Sequence, residues 1–351
     1  RPQTAFEFIL VRFVEAFESI YGSHYEVHQK PLGDTREIED ILKLHPPDVE
    51  KLRENSAILA RCHRLSDFNG LSKIRDSMCF TWIGQSCALV QISGINILTD
   101  PILSNHLLSE HFGPKRLVPA PMDLDLIKYA TNDNLDIVLV SHDHPDHLEL
   151  DLTKKIGNKS LWIVPLGLKQ KLGRRGIYNV IEMDWWDNIS LNKYLKGGEK
   201  LTDDYEIVCL PTMHWSGRYV LDCNRSLWCS YMIRRNGQSI LFHAGDTGYL
   251  RDLFETIGRL YGPVLLSMIP IGQYCPSWHQ KPRHTSPSES LQVAEHLRLT
   301  HAMGVHWGTF KISSEPILEP KILFEKLALE NNKKGYKVPE LGYSYWYDLS
   351  K

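Results

Sequence analysis

Three imidazoles and two carboxylates lie within six residues of this chain, in the segment His142-Asp143-His144-Pro145-Asp146-His147. The apolar, β-branched run at 136–140 comes just before them and predicts a buried strand, so the segment should lie in the loop where that strand ends. Loops held by a rigid scaffold often carry chemistry. Neutral imidazole and carboxylate are the usual ligands of zinc and similar divalent metals, so this segment predicts a metal site.

Three further strand ends each deliver a histidine or an aspartate. These residues are His214, Asp246 and His306, which follow predicted strands at 205–211, 239–242 and 302–305. Ligands gathered from several strand ends around an open site are typical of catalytic centres, whereas structural metal sites are usually closed and supplied locally. The recurrence therefore predicts a centre with two metal ions.

Asp100 ends another predicted strand, at 95–100, and is followed by a proline. A carboxylate in this position either fixes a metal-binding imidazole from behind or caps a turn, and the sequence leaves both roles open. Histidines that lack a strand-end setting are predicted to be core or surface residues, namely His243, His296 and His301.

Predicted strands and helices alternate around these residues. β-rich runs separated by glycine turns begin at Cys79, after a polar segment of mixed character. The predicted strands are at 80–84, 87–92, 95–100, 161–165 and 180–186, and the predicted helices at 47–59 and 151–156. We expect an α/β catalytic domain over 79–351 and an amino-terminal extension over 1–78.

Composition limits the classes of function. Of the 351 residues, 42% are hydrophobic, which is enough for a substantial core. With 40 basic and 42 acidic residues the net charge is −2, so no overall positive field attracts nucleic acid, and such a partner is disfavoured. The 7 cysteines are scattered without a Cys-x-x-Cys pair, which argues against a disulfide framework and favours a reducing compartment.

Two stretches are candidates for contact with another surface. Residues 6–21 carry apolar side chains on one helical stripe, which predicts packing on the core or on a second subunit, or insertion into a membrane surface. The basic cluster at 169–175 predicts either a solvated helix end or a contact with anionic lipid headgroups.

The ligand pattern His142-x-His144-x-Asp146-His147, with the later His214, Asp246 and His306, resembles the metallo-β-lactamase superfamily. A longer set of colinear motifs, from about Cys79 to the carboxyl terminus, resembles within it the phospholipases D that hydrolyse N-acylphosphatidylethanolamine. These motifs include Trp82-Ile83-Gly84, Leu98-Thr99-Asp100-Pro101, Asp184-Trp185-Trp186, Gly245-Asp246-Thr247-Gly248-Tyr249 and His306-Trp307-Gly308-Thr309-Phe310. The chain departs from that family at Gln85, which stands where a histidine commonly follows the glycine.

The resemblance implies an αββα sandwich, in which two sheets are flanked by helices and the active site lies along one sheet edge. It also implies roles for the ligands. The first zinc ion would bind His142, His144 and His214, the second would bind Asp146, His147 and His306, and Asp246 would bridge both. His284 matches a family histidine near the substrate pocket, unless it is an exposed loop residue.

The implied activity is that of a zinc-dependent phospholipase D. Hydrolysis of N-acylphosphatidylethanolamine to N-acylethanolamine and phosphatidic acid would use a hydroxide held between the metals. Asp246 or Asp146 would hydrogen-bond this nucleophile, and His284 or a metal-bound water would protonate the leaving group. The alternatives are another hydrolase of the same fold, such as a lactonase or a different phosphodiesterase, and a noncatalytic zinc-binding membrane protein.

To reach a phospholipid substrate, the protein would bind a membrane surface as a peripheral protein. Tyr274 and Trp278, with Trp185 and Trp186, would form an apolar mouth for the acyl chains, unless they are ordinary core residues. Analogy with that family further implies a homodimer through the amino-terminal region. The expected location is intracellular, on an endomembrane or a mitochondrial membrane.

Overall fold

The computed structural model describes residues 44–56, 76–108, 113–195, 198, 201, 203–219 and 222–350. The amphipathic stretch at 6–21 and the last residues of the helix predicted at 47–59 lie outside the described ranges. Strands within these ranges form two sheets of seven strands each.

The first sheet combines an antiparallel half with a parallel half. It contains β1 (Ser77–Gly84), β2 (Cys87–Ile92), β3 (Ile95–Thr99), β4 (Ile137–Leu139), β5 (Leu161–Pro165), β6 (Val180–Met183) and β14 (Ser344–Asp348). The order is β14-β1-β2-β3-β4-β5-β6. Pairing is antiparallel from β14 to β3 and parallel from β3 to β6.

The second sheet likewise combines an antiparallel half with a parallel half. It contains β7 (Asn188–Ser190), β8 (Tyr205–Leu210), β9 (Ser230–Arg235), β10 (Gln238–His243), β11 (Val264–Pro270), β12 (Leu299–Val305) and β13 (Tyr336–Lys337). The order is β13-β12-β11-β10-β9-β8-β7. Strands β7 to β10 pair antiparallel and β10 to β13 pair parallel.

Helices cover the outer faces of the sheets. They are α1 (Val49–Ser56), α2 (Leu124–Ala130), α3 (Leu150–Ile156), α4 (Leu168–Gly173), α5 (Arg251–Tyr261), α6 (Ser277–Gln280), α7 (Pro287–His296) and α8 (Glu319–Glu330), with a 3₁₀ turn at Leu191–Lys193. Among the described helices, none is at once long enough and apolar enough to cross a membrane.

Alternating side chains of the strands divide between two cores, because successive residues of a strand point to opposite faces. In β1, Phe80 and Trp82 belong to the core that the two sheets share. Cys79, just before Phe80, and Ile83, just after Trp82, belong to the core between the first sheet and helices α1 to α4. The predicted αββα sandwich is therefore confirmed.

The strand predicted at 180–186 ends earlier, at Met183. The backbone N–H of Asp184 donates to the Asp187 carboxylate at 2.7 Å, and Trp186 has a φ of 73°. These features form a tight turn instead of a continued strand. The indole of Trp185 donates to the carbonyl of Trp228 and packs on the core that the two sheets share.

Helices α5 and α7 follow two loops of the candidate site and cross at Gly258. A Cβ at Gly258 would lie 1.9 Å from the carbonyl oxygen of His296, so only glycine fits. Gly258→Ala should lower the free energy of unfolding by about 2–3 kcal/mol, although alanine favours a helix by about 1 kcal/mol. Gly173→Ala in α4 is the control, because its Cβ would meet only a ring carbon of Tyr178 at 3.9 Å. Chemical denaturation of both variants tests this, and equal stabilities would contradict it.

Candidate metal centre

Four strand ends bring the predicted ligands to one edge of the sandwich. His142, His144, Asp146 and His147 follow β4, His214 follows β8, Asp246 follows β10 and His306 follows β12. Gly245 allows one of these loops to approach another, since its φ is +58° and a Cβ there would lie 2.6 Å from Cβ of Ser141. All seven side chains are buried.

The first group consists of His142, His144, His214 and Asp246. Nδ1 of His144 lies 2.8 Å from Nε2 of His142 and 3.2 Å from Nε2 of His214. Oδ2 of Asp246 lies 3.6 Å from Nε2 of His214 and 3.9 Å from Nε2 of His142. Ligands about 2.1 Å from a tetrahedral zinc ion stand roughly 3.4 Å apart, so this donor set fits a divalent cation.

The second group consists of Asp146, His147, His306 and the same Asp246. Nε2 of His147 and Nε2 of His306 lie 3.0 Å apart. The Asp246 carboxylate approaches both, with Oδ1 3.0 Å from His306 and Oδ2 3.1 Å from His147. Oδ2 of Asp146 lies 3.3 Å from Nε2 of His306. Two buried clusters that share one carboxylate have the donors of a dinuclear metal site.

The electrostatics of the second group favour positive charge. In the first group, burial and neighbouring imidazoles hold the pKa values of His142 and His144 well below the ordinary value for histidine. At His306 burial has the same effect, but Asp246 and Asp146 outweigh it and raise the pKa to about 9. The pKa of His147 is also raised, by Asp246, Asp146 and Asp100 against burial. A divalent cation would satisfy the same carboxylates.

Asp100 supports the second group from behind. One of its oxygens lies 2.8 Å from Nδ1 of His147, so that Nε2 of this imidazole faces the cluster. The carboxylate also accepts hydrogen bonds from the backbone N–H and hydroxyl of Ser141 at 2.7 and 2.8 Å. Burial opposes ionisation of Asp100, but His243 and His147 outweigh it and lower the pKa to about 2.

His243 was not among the predicted site residues, yet its Nε2 lies 3.0 Å from Oδ2 of Asp100. It is buried, as expected of a core residue. Its place at the end of β10, three residues before Asp246, is the signal that could have associated it with the site.

Asp143, between two predicted ligands, faces away from the clusters. Its buried carboxylate pairs with the ammonium of Lys171 and accepts a hydrogen bond from the backbone N–H of Gly217 at 2.8 Å. Lys171 also pairs with Asp222 at 2.9 Å. This network joins the loop after β4 to the loop that carries His214. One lysine of the basic cluster at 169–175 therefore lies within an ion-pair network and is not a solvated helix end.

A cavity of about 630 Å³ opens onto both groups of ligands. Its wall includes His144, Asp146, Asp246 and His284 from the site. Elsewhere the wall is partly apolar and partly cationic, with Leu107, Leu108, Trp215 and Ile312 on the one hand and Arg218, Arg283 and Lys311 on the other. Such a wall suits an amphiphilic anion.

The three residues predicted to contact the substrate lie in different settings. His284 is buried, not exposed, and its Nδ1 lies 3.8 Å from Oδ2 of Asp246. Tyr274 does not line this cavity, because its hydroxyl donates to Glu319. Trp278 lies on α6 beside the cavity, with 62% of its surface exposed, but is not part of the wall.

Known proteins resemble this chain along most of its length. A family model described as a β-lactamase superfamily domain matches residues 95–307. The mitochondrial N-acyl-phosphatidylethanolamine-hydrolyzing phospholipase D of Saccharomyces cerevisiae is 39% identical over 99% of this chain and 74% of its own. N-acyl-phosphatidylethanolamine-hydrolyzing phospholipase D 1 of Caenorhabditis elegans is 36% identical over 70% of this chain and 68% of its own.

Solved structures share the fold at lower identity. Igni18, a metallo hydrolase from Ignicoccus hospitalis, is 21% identical with a TM-score of 0.56, over 78% of this chain and 99% of its own. An isothiocyanate hydrolase from Delia radicum gut bacteria is 15% identical with a TM-score of 0.59, over 78% of this chain and 100% of its own. At these identities the likeness concerns the fold.

The ion pair of Lys171 with buried Asp143 should contribute to stability, because removing the ammonium leaves a buried carboxylate with one backbone donor. We expect Lys171→Met to lower the free energy of unfolding by about 2–4 kcal/mol. The control is Lys159→Met, which removes an ammonium 2.9 Å from Asp133 on the exposed surface and should change stability by less than about 0.5 kcal/mol. Denaturant titration of both proteins gives the comparison. If both variants were equally stable, Asp143 would not depend on Lys171.

Proposed function

This chain is a hydrolase of the β-lactamase superfamily and belongs, within it, to the family of N-acyl-phosphatidylethanolamine-hydrolysing phospholipases D; we propose that it converts N-acylphosphatidylethanolamine to N-acylethanolamine and phosphatidic acid with two zinc ions. The observation that carries the proposal is the cavity at the paired ligand groups. Its apolar residues suit acyl chains and its cationic residues suit a phosphodiester.

The proposed ligands are those that the family resemblance implies. His142, His144 and His214 would hold the first ion, Asp146, His147 and His306 the second, and Asp246 both. Two such ions, when bound, would acidify a water molecule, lowering its pKa toward roughly 7, and would neutralise phosphate oxygens. Imidazole-rich donor sets of this kind suit zinc.

The side chains of the protein orient the reactants. The carboxylates of Asp146 and Asp246 border the cavity and would accept hydrogen bonds from the attacking water. The water adds its oxygen to phosphorus, and the bond from phosphorus to the ethanolamine oxygen breaks. The proton released by the water ends on that leaving oxygen. His284, next to Asp246 in the cavity wall, is the imidazole that would contact the leaving group.

The cationic side chains of the wall would bind the phosphodiester. Arg218 is held firmly, because its Nη1 donates to the carbonyls of Asp143 at 3.0 Å and Leu148 at 2.7 Å. Arg218 also lines a neighbouring cavity of about 800 Å³, which shares Leu107 and Leu108 with the first. We propose that acyl chains of the lipid lie along these shared leucines.

We propose that the protein meets its substrate as a peripheral protein of a mitochondrial membrane. Leu108, in the cavity wall, and Trp278, beside it on α6, are 55% and 62% exposed and would contact lipid. The name of the Saccharomyces cerevisiae relative favours the mitochondrial location over an endomembrane. The homodimer through the amino-terminal region stays a prediction, since residues 1–43 lie outside the described ranges.

Product analysis tests the proposed reaction. Metal-replete protein is incubated with vesicles of N-acylphosphatidylethanolamine and phosphatidylethanolamine in H₂¹⁸O, beside a chelated control, and the products are identified by mass spectrometry. We expect equal amounts of N-acylethanolamine and phosphatidic acid, both sensitive to the chelator. The heavy oxygen should be in phosphatidic acid, because water attacks phosphorus. Label in N-acylethanolamine, or no products, would refute the reaction.

Replacement of the shared carboxylate tests the centre itself. Asp246→Asn should reduce turnover on the order of 10³-fold or more and lower the metal content, because one neutral amide cannot serve both ligand groups. Asp252→Asn, at an exposed position in the first turn of α5, is the matched control and should behave as the wild type. Activity assays and elemental analysis of the folded proteins provide the measurements. Wild-type turnover by folded Asp246→Asn protein would rule out the assignment.

A further inference from the structure

The side chain of Gln85 lies inside the second ligand group, although the sequence motifs did not assign it there. Its Nε2 is 2.9 Å from Oδ2 of Asp146 and 3.0 Å from Nε2 of His306. The residue is 2% exposed, so its amide contacts these two side chains instead of solvent. Asp146 and His306 come from different sheets, and one amide contacts both.

The backbone at Gln85 is fixed by the loop that carries His306. The carbonyl of Gln85 accepts hydrogen bonds from the backbone N–H of His306 at 3.1 Å and from the indole of Trp82 at 2.8 Å. Its own N–H donates to the hydroxyl of Thr309 at 2.6 Å. These bonds keep the side chain at one distance from His306.

Gln85 also has a left-handed backbone, with a φ of 51°. This conformation is unfavourable for a residue with a Cβ and persists where surrounding contacts impose it. The β1–β2 turn could have used asparagine or glycine at less conformational cost. The reach of a glutamine amide to Asp146 accounts for the residue found.

We propose that Gln85 is a positioning residue of the second metal ion. Its amide N–H donates to Oδ2 of Asp146 and fixes the orientation in which this carboxylate meets the ion. The amide is neutral, so it orients Asp146 without altering the charge of a group that already contains two carboxylates. The inference rests on the proposed dinuclear centre and adds to it a residue on which the second ion, but not the first, depends.

The test measures metal affinity rather than turnover. Metal-free wild-type and variant proteins are titrated with Zn²⁺ in competition with a chromophoric chelator, which gives the number of ions bound and the dissociation constant of each. In Gln85→Met the chain length is kept and the amide is lost. We expect binding of the second ion to weaken 10–100-fold while the first ion binds as in the wild type.

Two further variants separate the amide from the fold. Gln85→Asn keeps an amide and suits the left-handed backbone, but it is one methylene too short to reach Asp146, so it should also weaken the second ion. Gln91→Met removes another buried amide of the first sheet, which donates to the Leu52 carbonyl and to Asn96, and should leave both ions unchanged.

The outcomes are distinct. A second dissociation constant within threefold of the wild type in Gln85→Met would overturn the inference, and so would equal weakening of both ions, which indicates a general structural role. Wild-type protein that binds fewer than two ions would instead refute the dinuclear centre on which the inference rests.

Discussion

The carboxylate of Asp246 is shared by two groups of imidazoles, and the geometry of the site depends on its position. Asp246 comes from the second sheet, whereas His142 and His147 come from the first. The centre therefore spans the junction of the sheets, and its distances hold only if the sheets keep a fixed relation. The shared core, with the rings of Phe80 and Trp82 among its buried side chains, provides that relation. The packing of the shared core therefore determines the geometry of the metal ligands.

Burial of so much charge requires support beyond the ligands. Asp100 is completely buried, yet His243 and His147 keep its carboxylate ionised, and Ser141 donates hydrogen bonds to it. Asp143 is equally buried and relies on Lys171 and a backbone donor. Each of these two carboxylates thus has its own partners, which offset the free-energy cost of placing a charge in the protein interior. The clusters stay ordered because the residues behind them are paired.

The sequence predicted the parts of the site that depend on local pattern. A buried strand followed by histidine or aspartate is visible in a few residues, so the strand ends with His142, His214, Asp246 and His306 were found. The sandwich itself followed from the family resemblance. Strand limits were less accurate, as at Met183, because the turn after it depends on a side-chain contact of Asp187.

Contacts between distant residues were not predictable in the same way. Gln85 and His306 are 221 residues apart, and Asp143 and Lys171 are 28 apart, so no periodicity relates them. The placement of the aromatic residues predicted to form an apolar mouth depends on such contacts as well. Tyr274 is directed to Glu319 by a hydrogen bond that its own segment does not reveal, whereas Trp278 is exposed beside the cavity.

The direction of Asp143 has a consequence for reading related sequences. His142 and His144 face the ligand groups, while Asp143 between them faces Lys171. The residue at the middle position of this motif therefore has a structural role of its own. A neutral residue at 143 would leave the ammonium at 171 with Asp222 alone. Positions 143 and 171 should therefore covary among homologues, and an alignment that treats the middle position as arbitrary would miss the link between the metal loop and helix α4.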